Sequence, residues 1–246
     1  MYQELVKQKI DLSLRKPFKQ ETNMKIKKLN ERDYIYGTML LDGTNLSRQE
    51  IEGMMEGEIP RTASLKDCVF IKNYLNALEF MRDALAMKTT LDKRMLLKLH
   101  ALLVGEMTGF RRSNSTIGEF RHVPPNHTEI ESKLSQLLQR AYKTGANEIR
   151  SAARIHCGII DIYPFEKHSE VIARMAMNYY LEEKGFLPVA LGYNRQEYIK
   201  TVTECLKDQD VTIFFWGLER AEYNKQDLVR QIVESDEADD ETDDEA

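Results

Sequence analysis

The sequence predicts an all-α fold, a helical bundle that carries one short β-hairpin flap. Three observations support this. Apolar residues recur at helical spacing through most of the chain. Ser47 and Ser64 each stand three residues before an acid, Glu50 and Asp67, the reciprocal cap that opens a helix. One stretch alone, residues 109–125, breaks the period: it holds the paired Arg111 and Arg112, small polar residues, Gly118 and a Pro124-Pro125 stop, as a hairpin would.

The first 32 residues hold 9 bases and 4 acids, and Pro17 bars a continuous helix. Residues 1–21 therefore read as a solvated, partly helical basic lead-in, able to touch phosphates or the acidic tail. Helical period runs over 22–41, then over a short capped helix at 47–57 that Gly57 and Pro60 end. The cap at Ser64 opens a longer helix to about residue 85, with a wide apolar stripe through Leu65, Val69, Leu75 and Leu78. Further helices are predicted over 91–106, 129–142, 148–162, 170–184 with Gly185 as terminator, 195–206 and 211–233. Trp216, inside an apolar run at 213–218, is expected in the core. Residues 234–246 hold 9 acids and no base, and are expected to be a disordered acidic tail.

At 246 residues, 42% hydrophobic and 30% charged, the chain can bury an ordinary core, which excludes collagen-like and wholly disordered classes. The net charge of −5 belongs to the tail, because residues 1–233 hold 35 bases against 31 acids. No apolar run approaches a membrane span and the start lacks a signal-peptide pattern, so a cytosolic location is expected. Cys68, Cys157 and Cys205 are widely spaced and odd in number, which reads as ordinary buried thiols in a reducing compartment. The five histidines show no metal-ligand spacing, and no phosphate-binding P-loop or G-x-G-x-x-G is present. Nucleic-acid binding would rest on the basic lead-in alone and is not expected.

The informative stretch is 155–174, Ile-His-Cys-Gly-Ile-Ile-Asp-Ile-Tyr-Pro-Phe-Glu-Lys-His-Ser-Glu-Val-Ile-Ala-Arg. An apolar helix, a Pro-containing loop and a second helix place the loop at the positive end of that second helix, where anions bind. The same pattern suits a tight connection between two core helices with Phe165 as a plug. The frame resembles the Fic (Fic/Doc) domain, whose motif reads HPFxDGNGRxxR and which typically transfers AMP from ATP to a protein hydroxyl. His156 stands seven residues before the motif, as in that family. Arg174-Met175-Ala176-Met177-Asn178, then Leu181, Gly185 and Pro188, resemble its R-L-L-M-N, leucine and G-x-x-P pattern. The resemblance covers about residues 22–230.

The resemblance implies roles and also marks departures. Tyr163 stands at the family's histidine, which takes the proton from the target hydroxyl; a phenol with a pKa of about 10 is a poor base. Tyr163 and His168 are the catalytic candidates. Lys167 replaces the acid that holds Mg²⁺, leaving Glu166 as the candidate metal ligand. His168, Ser169 and Glu170 replace Gly-Asn-Gly and Val171 replaces the first arginine, so Ser169 and Arg174 are the candidate phosphate contacts. Thr38-Met39-Leu40-Leu41-Asp42-Gly43 resembles the family's inhibitory motif, (S/T)xxxE(G/N), which implies that Asp42 faces Arg174; read without the family, Asp42 equally suits the end of a helix at Gly43. The flap resembles the hairpin that aligns a target by strand addition, with Arg111, Arg112, Thr116, Ile117 and Gly118 as contacts.

Three functions are consistent with this pattern. The chain is read first as a Fic-like pseudoenzyme that binds a protein partner along the flap or pairs with itself or a Fic relative. The second reading is an adenylyltransferase-type enzyme using ATP and Mg²⁺ through unorthodox residues. The third is a nucleotide-binding switch without turnover.

Overall fold

A computed structural model describes residues 1–243 apart from 108, 115 and 144–146. Among them run ten α-helices: α1 Tyr2–Leu14, α2 Gln20–Leu41, α3 Arg48–Met55, α4 Leu65–Ala86, α5 Lys93–Val104, α6 Ile130–Lys143, α7 Glu148–Ile162, α8 Ser169–Glu183, α9 Arg195–Asp208 and α10 Thr212–Asp243. The all-α prediction holds.

Helix α8 is the axis of the bundle. Every residue from 171 to 181 is buried, as expected for a helix without a polar face. It packs closely on α7, which buries ten of its own residues, and α4, α5, α6, α9 and α10 surround this pair. Both predicted capping boxes are present, at Ser47 with Glu50 and at Ser64 with Asp67. A further box at Asn194 with Glu197 opens α9 and sets the orientation of Tyr198 one residue later.

Four expectations are corrected. The basic lead-in is a docked helix: Leu5 and Leu12, seven residues apart, fall on one face of α1 and are 0% and 6% exposed. Residues 234–243 continue α10, past the predicted end at residue 233. The two departures have one cause, because the basic segment meets the acidic one. Arg15 pairs with Glu234 and Glu237, while Asp236 accepts from Thr22 at 2.5 Å and from Lys25 at 2.6 Å. The flap is a loop with a single antiparallel bridge, Ile117 to His122, among its described residues. Its polar groups bond the neighbouring loop instead: the Arg111 N–H donates to the Pro164 carbonyl at 2.9 Å. Trp216 is 59% exposed, because Phe214, Phe215 and Leu218 take the inward face of α10.

Candidate functional site

The loop between α7 and α8 is held from inside. Tyr163 ends α7 in the left-handed region (φ 46°) and His168 enters α8 there too (φ 63°), a conformation that non-glycine residues resist. Phe165 is fully buried and stacks on His100 with ring centres 3.9 Å apart. The Ser169 hydroxyl donates to the Phe165 carbonyl and accepts from the Phe165 N–H, both at 3.0 Å. Ser169 is thus a clasp for the loop. Buried and doubly bonded, its hydroxyl is not available to a phosphate, which corrects the role expected of it.

Arg111 also differs from expectation. Its side chain is 3% exposed and points inward, donating to the carbonyls of Tyr163, Ser113, Pro125 and Ile162 at 2.8, 2.7, 2.6 and 3.3 Å. It ties flap to loop and is turned away from any target. Arg112, Thr116 and Gly118 are exposed, while Ile117 is buried with Phe120 beneath the flap.

Between flap and loop lies a cavity of about 320 Å³, lined by Arg111, Glu119, Tyr163, Glu166 and Glu170 with flap residues 116–118. Three carboxylates face it, and its one guanidinium is engaged with carbonyls. The Tyr163 hydroxyl donates to Glu170 Oε1 at 2.8 Å. Burial, then the neighbouring Glu170 charge, holds the phenol pKa well above its ordinary value, so Tyr163 stays protonated at neutral pH. Burial lowers the His168 pKa, leaving that imidazole neutral. Glu166 is exposed. Among the described residues no group of three or more His, Cys, Asp or Glu is arranged to hold a metal ion.

Arg174 and Asp42 meet: Arg174 Nη2 donates to Asp42 Oδ1 at 2.7 Å. The guanidinium is 4% exposed and the carboxylate 37%. Burial opposes the Arg174 charge, but Asp42 and the facing phenols of Tyr198 and Tyr74 more than offset it, and the arginine stays firmly protonated. Around the pair runs a buried chain. Tyr198 Oη contacts Arg174 Nη1 at 3.4 Å and His156 Nε2 at 3.1 Å, and Tyr74 Oη lies 3.2 Å from Thr38 Oγ1. Gly43 takes the left-handed conformation (φ 85°) that lets α2 turn away directly after Asp42, with the Arg195 side chain packed against it. Arg195 donates to the Leu41 carbonyl at 2.6 Å and pairs with Glu119 of the flap.

Sequence reasoning missed Tyr198, Tyr74, Arg195, His100 and Glu119. Tyr198 and Arg195 come from α9, Tyr74 from α4, His100 from α5 and Glu119 from the flap, and no local pattern links them to the motif.

The fold matches known structures. The chain superposes on a Fic domain containing signaling protein from Bacteroides thetaiotaomicron with a TM-score of 0.82, at 18% identity and covering 95% of this chain and 98% of that one. The chain has the Fic fold. Fic-1 from C. elegans gives a TM-score of 0.77 at 15% identity, with 96% of this chain and 73% of that one covered. Residues 90–181 match the Fic/DOC family, so the family resemblance drawn from the motif is borne out there. Two curated relatives are each named protein adenylyltransferase Fic. That of Drosophila willistoni is 21% identical over 183 residues, 70% of this chain and 36% of that protein. That of Drosophila ananassae is 22% identical over 167 residues, 64% of this chain and 33% of that protein. The chain thus spans about a third of the length of the curated Fic relatives it matches.

Proposed function

We propose that this Fic-fold protein, related to protein adenylyltransferases, is a pseudoenzyme that binds a protein segment along the flap. One observation carries the reading: both candidate phosphate contacts of the motif are already engaged within the chain. Arg174, the motif's remaining cation, is buried against Asp42, and the Ser169 hydroxyl closes its own loop. The cavity beneath the flap presents Glu119, Glu166 and Glu170, which repel a triphosphate. Glu170 stands in the first turn of α8, so the positive helix end already faces a carboxylate. These residues do not fit ATP with Mg²⁺: Lys167 offers a cation no oxygen ligand, and Glu166 alone is one carboxylate. No transfer step is therefore assigned to them.

Binding by strand addition is supported by the flap itself. Its backbone is bridged only at Ile117 and His122 among the described residues, and Arg112, Thr116 and Gly118 are exposed. The partner belongs to this proposal, as a protein or a second Fic-fold chain. So does a reducing, cytosolic setting, supported by three free thiols; no described helix is long and apolar enough to cross a membrane.

The test is incubation with labelled ATP and Mg²⁺, with calorimetry on the natural chain and Asp42→Ala. The expected result is no covalent label and no binding heat up to millimolar nucleotide. Labelling that disappears in Arg174→Ala would establish a transferase instead. The switch reading has one supporting observation, the 37% exposure of Asp42, which a phosphate could displace from Arg174; binding without label in Asp42→Ala would favour it.

A further inference from the structure

A second cavity, of about 760 Å³, lies at the far end of α8 from the motif loop and shares no residue with the one beneath the flap. Its walls come from α1, the turn before α2, α2 itself, the end of α4, the end of α8 and α10. Leu12, Phe18, Ile26, Leu187 and Val229 line it and belong to a small apolar cluster separate from the main core. A cavity of this size, apolar with a few polar groups set into it, has the character of a small-molecule site.

Three polar groups on the inner wall are acceptors. Gln226 of α10 is 1% exposed, and its Nε2 donates to Glu222 Oε1 at 2.9 Å. The other polar atom of that amide, the carbonyl Oε1, is buried with no hydrogen-bond partner among the described residues. Asn30 Oδ1 of α2 is buried and unpartnered in the same way. Glu182 of α8 adds a carboxylate, which accepts from the Tyr34 hydroxyl at 3.1 Å. Burial raises that carboxyl to about 7, and a cation beside it would favour the ionised form. The Lys9 ammonium, which also lines the cavity, is spent on the Lys184 carbonyl at 3.1 Å and on the face of the Phe186 ring, 4.3 Å from its centre.

A buried acceptor without a donor costs free energy that a ligand's donor recovers. An ammonium carries three donors and no acceptor, the complement of this set. The rim has the opposite character: Lys16 and Lys88 are exposed there and attract an anion. We propose that this cavity binds a small zwitterion with an apolar stem, an ω-amino carboxylate, whose ammonium donates to Gln226, Asn30 and Glu182 and whose carboxylate lies at Lys16 and Lys88. The apolar stem rests on Leu12, Ile26 and Val229, so the ligand fastens α1 to α2 and α10.

The test uses the full chain and three probes, ω-aminooctanoate, octylamine and octanoate, with calorimetry and NMR spectra of the Gln226 and Asn30 side-chain amides. The ω-aminooctanoate should bind with a Kd below about 1 mM and shift both amide resonances. Octylamine should bind about fivefold more weakly for want of the carboxylate, and octanoate about tenfold more weakly for want of the ammonium. Gln226→Leu should weaken ω-aminooctanoate about tenfold. Lys16→Glu combined with Lys88→Glu should weaken it about fivefold while leaving octylamine no weaker. Octanoate or octylamine binding as tightly as ω-aminooctanoate overturns the proposal. So does a failure of ω-aminooctanoate to bind, or binding that leaves the Gln226 amide unmoved. The resonances of the natural chain decide the matter even where Gln226→Leu fails to fold. Neither outcome bears on the flap, since no residue of the flap or the motif loop lines this cavity.

Discussion

Replacing Asp42 with alanine leaves a guanidinium that is 4% exposed facing only a 3.4 Å contact with Tyr198, while its Nε already lacks a partner. Breaking a fully buried ion pair by deleting one partner costs about 3–5 kcal/mol, because the remaining charge stays desolvated. A fully exposed pair is worth about 0–1 kcal/mol. Asp42 is 37% exposed, so solvent screens its side of the pair, and the expected loss lies between these limits at about 2 kcal/mol. With a urea slope of about 3 kcal/mol/M for a chain of this size, the unfolding midpoint should fall by about 0.7 M. Arg174→Met removes the charge along with its need for a partner, so Asp42→Ala made in that background should cost below about 0.5 kcal/mol. Equal losses in both backgrounds would refute the pairing as the source of stability, as would an unchanged midpoint in the single variant.

Three other outcomes follow from the same geometry. Arg111→Ala removes a guanidinium that bonds four carbonyls, and should cost about 3 kcal/mol in thermal unfolding and speed hydrogen exchange across residues 109–125. Burial pushes the Glu222 carboxyl up to about 7 from an ordinary 4.5, so its protonated form is the one the fold favours. That contribution is fully present below pH 4.5 and is lost as pH rises through 7, at about 3 kcal/mol; Glu222→Gln should flatten the decline in chemical unfolding measured between pH 5 and 8. Asp236→Ala removes the bonds from Thr22 and Lys25, and should raise exchange in the first turns of α2 and the last turns of α10 while leaving the α7–α8 pair protected.

The motif loop shows how chemistry and packing divide. Ser169 and Arg111 are polar residues at positions where a related frame suggests contact with a ligand or target. Both instead bond backbone carbonyls, those of Phe165 and Tyr163, that a six-residue loop between two buried helices leaves unpaired. With non-glycine residues at Tyr163 and His168 in left-handed conformations, the loop needs such internal bonds to offset strain. A buried Phe165 on His100 adds to the same restraint.

Local pattern alone determined the helices from α2 to α9, because apolar period and reciprocal caps such as Ser47 with Glu50 act within a few residues of one another. The motif frame was also legible, since the spacing of a helix-loop-helix is carried along the chain, whereas the meeting of Asp42 with Arg174 was expected only from the family resemblance. What only the tertiary structure decided are the contacts between distant segments. Trp216 faces outward because its neighbours Phe214 and Leu218 fill the α10 interface, and the acidic tail folds because α1 and α2 bring bases to it. Tyr198, Arg195 and Glu119 join the site only when α7, α9 and the flap close on one another. The physical reason is that partners far apart in sequence are chosen by packing, and a side chain's local pattern carries no record of what packs against it.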